Sequence, residues 1–169
     1  MPPRKIAAFS SLIAVLLLSL PSFADTDTLQ KLADKMEIEA LVARYVIGLD
    51  TLDADAYASV FAEDAVFDVS GTVYRGRDAI RKIVTDLQES RARNEAAGTP
   101  SPALYHVMSN TFIEIVDETN ARHHSYAQTL RAGDDGRFVI GFMGRYEDEL
   151  VKRDGRWVIQ SRKLVSFVE

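Results

Sequence analysis

The chain has 169 residues, a net charge of −5 and no cysteine. The absence of cysteine excludes a disulfide framework and thiol chemistry. The acidic balance, with no dense basic patch, argues against a nucleic-acid partner. With only three histidines and no cluster at ligand spacing, the sequence predicts neither a metal site nor a cofactor.

Residues 1–24 have the pattern of a secretory signal peptide. Arg4 and Lys5 precede a mostly apolar run over residues 12–20, and a small-x-small motif, SFA, ends at Ala24. The apolar run is short for a membrane span. We predict cleavage after Ala24, a periplasmic or secreted location, and no membrane association of the mature chain. An uncleaved N-terminal anchor is the alternative.

The remaining residues suit one domain with a sizeable core. After a polar lead-in at 25–33, apolar residues recur at three- and four-residue spacing from Asp34 to Leu49, which predicts an amphipathic helix. Asp53 can cap a short second helix. A strand at 65–71, a bend between glycines 71 and 76, and a third helix from 78 to about 93 follow.

Four strand-like segments complete the chain after a loop at 94–102. An Asp-Gly pair at 154–155 between the last two predicts a tight hairpin. Helices that precede an antiparallel sheet indicate an α+β architecture. Glycines 141 and 144 permit the bends of a strongly curved sheet, and helices over its concave face would leave a pocket. The segments are 104–116, 121–131, 138–152 and 157–168.

This order of elements resembles the SnoaL-like domains of the nuclear transport factor 2-like superfamily. The stretches that carry the resemblance are ARYVIGLDTLDADAYASVFAEDAVFD and YEDELVKRDGRWVI, and it covers residues 34–169. It implies a cone-shaped, cystatin-like fold. That fold hosts dehydratases, isomerases, cyclases, hydrolases and non-catalytic binders, so the activity stays open.

Asp50 is the first candidate functional residue. It directly follows the predicted first helix, where the partial negative charge of the helix terminus disfavours a carboxylate. Asp53 already offers a capping oxygen to the next helix, so Asp50 is surplus to the cap. Ordinary turn chemistry is the alternative explanation.

His106 is the second candidate, on the first long strand. Residues that alternate along a strand share one face, and here that face mixes polar with large apolar side chains, as a pocket wall does. A core histidine bonded to a backbone carbonyl is the alternative. The expected neighbours of His106 on this face are Leu104, Met108, Asn110 and Phe112.

Resemblance to lindane dehydrochlorinase and scytalone dehydratase, members of the same superfamily, implies that Asp50 and His106 form a catalytic dyad. It also implies that Arg153, in the run KRDGRW at the final hairpin, contacts substrate; a solvated surface arginine is the alternative. Three features depart from these enzymes. Tyr45 stands where the dehydrochlorinase has lysine, and Leu49 stands where the dehydratase has a tyrosine directly before its aspartate. A second histidine of the dehydratase falls near Thr129 or Leu130. What remains is a minimal Asp–His base.

An Asp–His base suits proton abstraction that leads to elimination, isomerisation or cyclisation. The sequence therefore predicts a cofactor-independent lyase or isomerase acting on a small apolar substrate. Tyr126 or Tyr146 could donate to a developing oxyanion, although either could be a core tyrosine. Together, the predicted substrate-binding residues are Tyr45, Met108, Asn110, Tyr126, Tyr146 and Arg153.

Three alternatives remain at the sequence level. A ketosteroid-isomerase-like site would pair Tyr45 with an aspartate on the first strand, but the aligned position is Val69, one residue after Asp68. A metal site is disfavoured because adjacent histidines 123 and 124 point to opposite sides of a strand. A non-catalytic ligand-binding or dimeric scaffold domain is the third.

A homo-oligomer, most simply a dimer, is also predicted. One face of the long sheet has no helix to cover it, and exposed apolar surface of that kind usually finds a partner. The expected contact residues are Val139, Met143 and Val151.

Overall fold

The computed structural model describes residues 23–133 and 135–167, with side chains described from residue 26. The predicted signal peptide therefore lies almost wholly outside the described residues. None of the described helices has the length and apolarity to cross a bilayer. The elements are α1 Phe23–Asp50, α2 Ala54–Ser59, β1 Phe61–Val69, β2 Thr72–Arg75, α3 Arg77–Ala96, β3 Leu104–Ile115, β4 Asn120–Ala132, β5 Phe138–Arg153 and β6 Arg156–Ser166.

Helix α1 begins at Phe23 and not at Asp34, so the predicted polar lead-in is helical. Residues 29–33, LQKLA, are all good helix formers, and no glycine or proline interrupts them. An ion pair from Lys31 to Asp27, one turn apart and 2.8 Å long, adds local support. Polarity alone was therefore a poor guide to the start of the helix.

The sheet confirms the predicted α+β class. Its six strands run in the order β2-β1-β6-β5-β4-β3 and do not close into a barrel. Neighbouring strands are antiparallel, except that β1 pairs with β6 in parallel, so the sheet is mixed and not purely antiparallel. The α1 face bearing Ile38, Leu41 and Tyr45 packs into the core together with Phe61 and Trp157.

Two register shifts change which side chains face the core. Asn110 has a φ of +51° at an irregularity between Ser109 and Phe112 on β3. An extra residue in one strand moves the following side chains to the other face. The expectation that Asn110 and Phe112 share the face of His106 was therefore wrong: both are exposed, and Phe112 keeps 61% of its surface.

Gly141 marks the second shift. Phe142 pairs with Thr129 and Ile140 with Leu130, so Gly141 has no partner on β4. The alternation before and after this point places Val139 on the inner face of β5, while Met143 lies on the outer face.

The predicted hairpin between β5 and β6 is present, because Asp154 and Gly155 both have the positive φ of a type I′ turn.

Candidate functional site

The turn after α1 holds Asp50 at the end of the helix. The N–H groups of Leu52 and Asp53 donate to the carbonyls of Leu49 and Gly48, which is the Schellman pattern of helix termination. Leu52 adopts φ +56°, a position that usually carries glycine. Position 48 requires glycine because α2 packs closely against it: an added Cβ would lie 2.6 Å from the Tyr57 backbone nitrogen.

Asp53, not Asp50, caps α2. Its carboxylate accepts hydrogen bonds from the backbone N–H groups of Asp55, at 3.1 Å, and Ala56, at 2.9 Å. Asp50 is therefore not the N-cap of α2, as the sequence predicted. Its carboxylate turns instead across to β3.

Asp50 binds His106 through three contacts. Nδ1 of the imidazole lies 2.6 Å from Oδ1, and the His106 backbone N–H donates to both carboxylate oxygens at 3.1 and 3.2 Å. An ionised carboxylate can only accept, so Nδ1 carries a proton, and in the neutral imidazole Nε2 then has a lone pair. The two side chains keep 19% and 14% of their surface, so solvent can reach the pair. Nε2 has no hydrogen-bond partner among the described residues.

The inner face of the sheet supplies the neighbours of His106. His106 pairs with Thr129 on β4, and Thr129 pairs with Phe142 on β5, so the three form one row. Met108 follows on the same face and packs against the core, as Phe142 does. Sequence reasoning missed Phe142, and it reached Thr129 only as the position where the dehydratase has a histidine. The alternation of inner and outer residues along β4 and β5 indicates that Thr129 and Phe142 face inward. The pairing of the strands is needed to place them beside His106.

A second Asp–His pair lies in the core. His123 Nδ1 is 2.6 Å from Asp148 Oδ2, and Arg162 donates to Asp148 from Nε at 2.8 Å and from Nη2 at 2.7 Å. All three side chains are fully buried. Burial by itself raises the pKa of Asp148, but the Arg162 charge and its hydrogen bonds, with help from His123, outweigh burial and lower that pKa. His124 faces outward, so the two adjacent histidines do point to opposite sides.

Aromatic rings surround this buried ion pair. The Arg162 guanidinium lies 4.0 Å from the ring centre of Tyr45 and 4.4 Å from that of Tyr146. The hydroxyls of the two tyrosines are 3.1 Å apart. Burial, followed by the neighbouring Tyr45, raises the pKa of Tyr146 well above its ordinary value. Tyr45 and Tyr146 are therefore core residues, and neither hydroxyl is exposed toward a ligand in this arrangement.

The remaining predicted binding residues do not converge on His106. Tyr126 lies on the outer face of the sheet, 39% exposed, with its ring edge-on to Phe167. Asn110 is exposed at the bulge. Arg153 sits at the far end of β5, roughly 35 Å of strand from Phe142, and its guanidinium reaches Gln160 at 3.5 Å. Of the six predicted residues, Met108 alone is close to His106 on the inner face.

The ketosteroid-isomerase-like arrangement is also absent from the described residues. Asp68 accepts a hydrogen bond from the Gly71 N–H, 2.7 Å away, in the turn between β1 and β2. Val69 packs against the core on the other face of β1. The one-residue offset therefore separates the carboxylate from Tyr45, as the alternation of a strand requires.

Two surface grooves lie along α1, and neither has Asp50 or His106 in its walls. An apolar groove of about 340 Å³ runs between α1 and β3, with Val46, Ile47 and Met108 among its walls. A wider groove of about 820 Å³ lies at the other end of α1, where Asp34 and Lys152 form an ion pair of 2.5 Å. No described group of three histidine, aspartate or glutamate side chains is arranged to hold a metal ion.

The comparisons with known proteins establish the family. A family model described as a SnoaL-like domain matches residues 30–163. This chain is a SnoaL-like domain protein. Terrestric acid biosynthesis cluster protein E of Penicillium crustosum is 30% identical to it over 139 residues, which cover 76% of this chain and 80% of that protein.

Solved structures agree with this SnoaL-like assignment. A protein of unknown function from Mycobacterium tuberculosis is 30% identical, with a TM-score of 0.67 over 86% of this chain and 76% of that chain. A provisional scytalone dehydratase from Novosphingobium aromaticivorans is 28% identical, with a TM-score of 0.66 over 83% and 89% of the two chains. The SnoaL-like chain therefore has a fold of the type used by cofactor-free isomerases and lyases.

Proposed function

We propose that this protein is an exported, cofactor-independent lyase or isomerase in which Asp50 and His106 form the base. The contact of 2.6 Å between the Asp50 carboxylate and Nδ1 of His106 carries the proposal. It fixes the tautomer in which Nε2 can accept a proton. The resulting imidazolium is stabilised by the adjacent negative charge, as in a protease triad.

The choice between the two Asp–His pairs rests on access and charge. Asp148 is already neutralised by Arg162, and the whole cluster is shielded from solvent. Asp50 forms no ion pair with a lysine or arginine among the described residues, and the Asp50 and His106 side chains are both partly exposed. A substrate can therefore reach His106 and not His123.

The neighbours of His106 limit the chemistry. Thr129 supplies a hydroxyl beside the imidazole, and Phe142 and Met108 supply apolar surface. Besides Asp50, the charged residue on this part of the inner face is Arg131, which pairs with Leu104 and Val139, whereas Tyr146 lies deeper and bonds Tyr45. A single base can return its proton to another carbon, which is isomerisation, or assist loss of a leaving group that is stable as an anion. We therefore favour a small apolar substrate with an acidified C–H bond.

The test is a substrate screen with four proteins. Wild type, Asp50→Asn, His106→Gln and the double variant are incubated with small cyclic ketones and halogenated or hydroxylated hydrocarbons, and products are followed by mass spectrometry. Any wild-type activity should fall by roughly 10²- to 10⁴-fold in each single variant. The double variant should lose no more than the singles, because the pair acts as a unit.

His124→Gln is the matched control, because this exposed histidine lies on the outer face of the sheet and should leave activity unchanged. Nitrogen-15 NMR provides a readout that needs no substrate. In the wild type His106 should show the Nδ1–H tautomer, and Asp50→Asn should allow the Nε2–H form. Full activity in Asp50→Asn, or a wild-type His106 in the Nε2–H form, would contradict the proposal.

A non-catalytic binder is the second candidate function. The observation that favours it is the apolar groove between α1 and β3, whose walls include Met108 but neither Asp50 nor His106. On this hypothesis the same compounds would shift the NMR signals of His106 without being converted. That outcome would replace the catalytic proposal.

A further inference from the structure

Helix α1 is apolar on two sides. The side that faces the sheet carries the core residues Ile38, Leu41 and Tyr45. The opposite side is exposed, yet six apolar residues recur along it at spacings of 4, 3, 4, 3 and 4. We call these six residues the α1 seam: Leu29, Ala33, Met36, Ala40, Ala43 and Ile47.

The α1 seam is solvent-accessible throughout. Leu29, Met36 and Ile47 keep 64%, 62% and 60% of their surface, and all three alanines are exposed. A helix at a protein surface normally presents polar residues there. The core contacts of the domain therefore do not explain the apolar character of this side.

The spacing of the α1 seam indicates what covers it. Alternating steps of four and three residues give the a and d positions of a heptad, the pattern by which one helix packs against another. The residues that a coiled coil leaves at its outer positions b, c and f, such as Asp34, Ile38 and Leu41, are here buried in the domain. Alanine at three of the six positions permits close approach of a second helix.

Charges beside the α1 seam select the partner and its direction. Glu39 and Arg44 occupy the flanking g and e positions, are exposed, and have no ion-pair partner among the described residues. In a parallel pair of identical helices, g of one chain meets the next e of the other, so Glu39 faces Arg44 twice. An antiparallel pair would set Glu39 against Glu39, which is a repulsive contact.

We infer that α1 is a dimerisation helix that pairs in parallel with α1 of a second copy of this chain. The α1 seam begins at Leu29 and would remain after cleavage behind Ala24. A single pair of helices buries less surface than the roughly 1,200 Å² at the lower end of standard protein–protein interfaces. The association should accordingly be weak and depend on protein concentration.

The absence of native cysteine permits a direct test. In the protein that begins at Asp25, Ala33→Cys places its thiol near the same thiol of the second copy only if the two helices are parallel. In the antiparallel arrangement residue 33 lies opposite residue 43, roughly 15 Å of helix away. Under mild oxidation at about 50 µM protein, Ala33→Cys should form disulfide-linked dimers at least about tenfold faster than Lys35→Cys, an exposed position off the seam.

Charge reversal provides the second readout, and it does not depend on the core. In the Ala33→Cys background, Glu39→Arg or Arg44→Glu should each slow cross-linking about threefold or more, and the two together should restore it. Equal rates for Ala33→Cys and Lys35→Cys would overturn the inference. Efficient cross-linking only in a mixture of Ala33→Cys with Ala43→Cys would overturn the parallel arrangement.

Discussion

Asp148→Asn tests whether the buried Asp–His pair is structural. The substitution keeps the shape of the side chain but removes the charge that faces Arg162, and both side chains are fully buried. An uncompensated buried charge costs about 3–5 kcal/mol of unfolding free energy. For a domain of this size each kcal/mol lowers the Tm by about 2–4 °C, so we expect a fall of roughly 6–20 °C.

Asp50→Asn is the matched control, because the same chemical change is made at a partly exposed pair. Since Asp53 supplies the cap, the change should alter the unfolding free energy by less than about 1 kcal/mol. Urea unfolding measures both variants through Trp157, the single tryptophan, which is buried with 2% exposure. Equal stability of Asp148→Asn and wild type, or equal losses in both variants, would refute this division of roles.

The pH dependence follows from the lowered pKa of Asp148. Its contribution to stability is fully present above the ordinary value of 3.8 and is lost as the pH falls through the lower folded-state pKa. The stability difference between wild type and Asp148→Asn should therefore be constant near neutral pH and shrink in acid below about pH 4. A difference that grows on acidification would contradict the assigned sign.

Three further predictions concern other parts of the chain. Mass analysis of exported protein should give Asp25 as the N-terminus, and an intact Met1 would refute processing. Met143→Lys, on the uncovered outer face of the sheet, should reduce the mass in light scattering without slowing Ala33→Cys cross-linking; an unchanged oligomer would remove this face as a contact. Asp34→Ala should destabilise the protein and shift the Trp157 fluorescence to longer wavelength, because Asp34 accepts hydrogen bonds from the indole nitrogen at 3.0 Å and from Lys152. Unchanged emission would show that the bond to the indole is not formed in solution.

Local sequence patterns determined most of the elements. The capping of α2 by Asp53, the Asp154-Gly155 hairpin and the alternation of β4 depend on neighbours within a few residues, so they could be predicted without the fold. The α+β class followed from the order of these elements. Asp50 and His106 were paired through resemblance to known enzymes, and the structure brings them within 2.6 Å although 56 residues separate them.

Tertiary structure alone decided which side chains meet. The bulge at Asn110 and the shift at Gly141 each reverse the faces of a strand, and no local signal fixes the register that creates them. The buried cluster of His123, Asp148 and Arg162 joins three strands, so it was invisible before their pairing was known. Sequence determines the periodicity within each element, whereas long-range packing decides the partner of each face, because the free energy of burying a polar group depends on contacts that come from elsewhere in the chain.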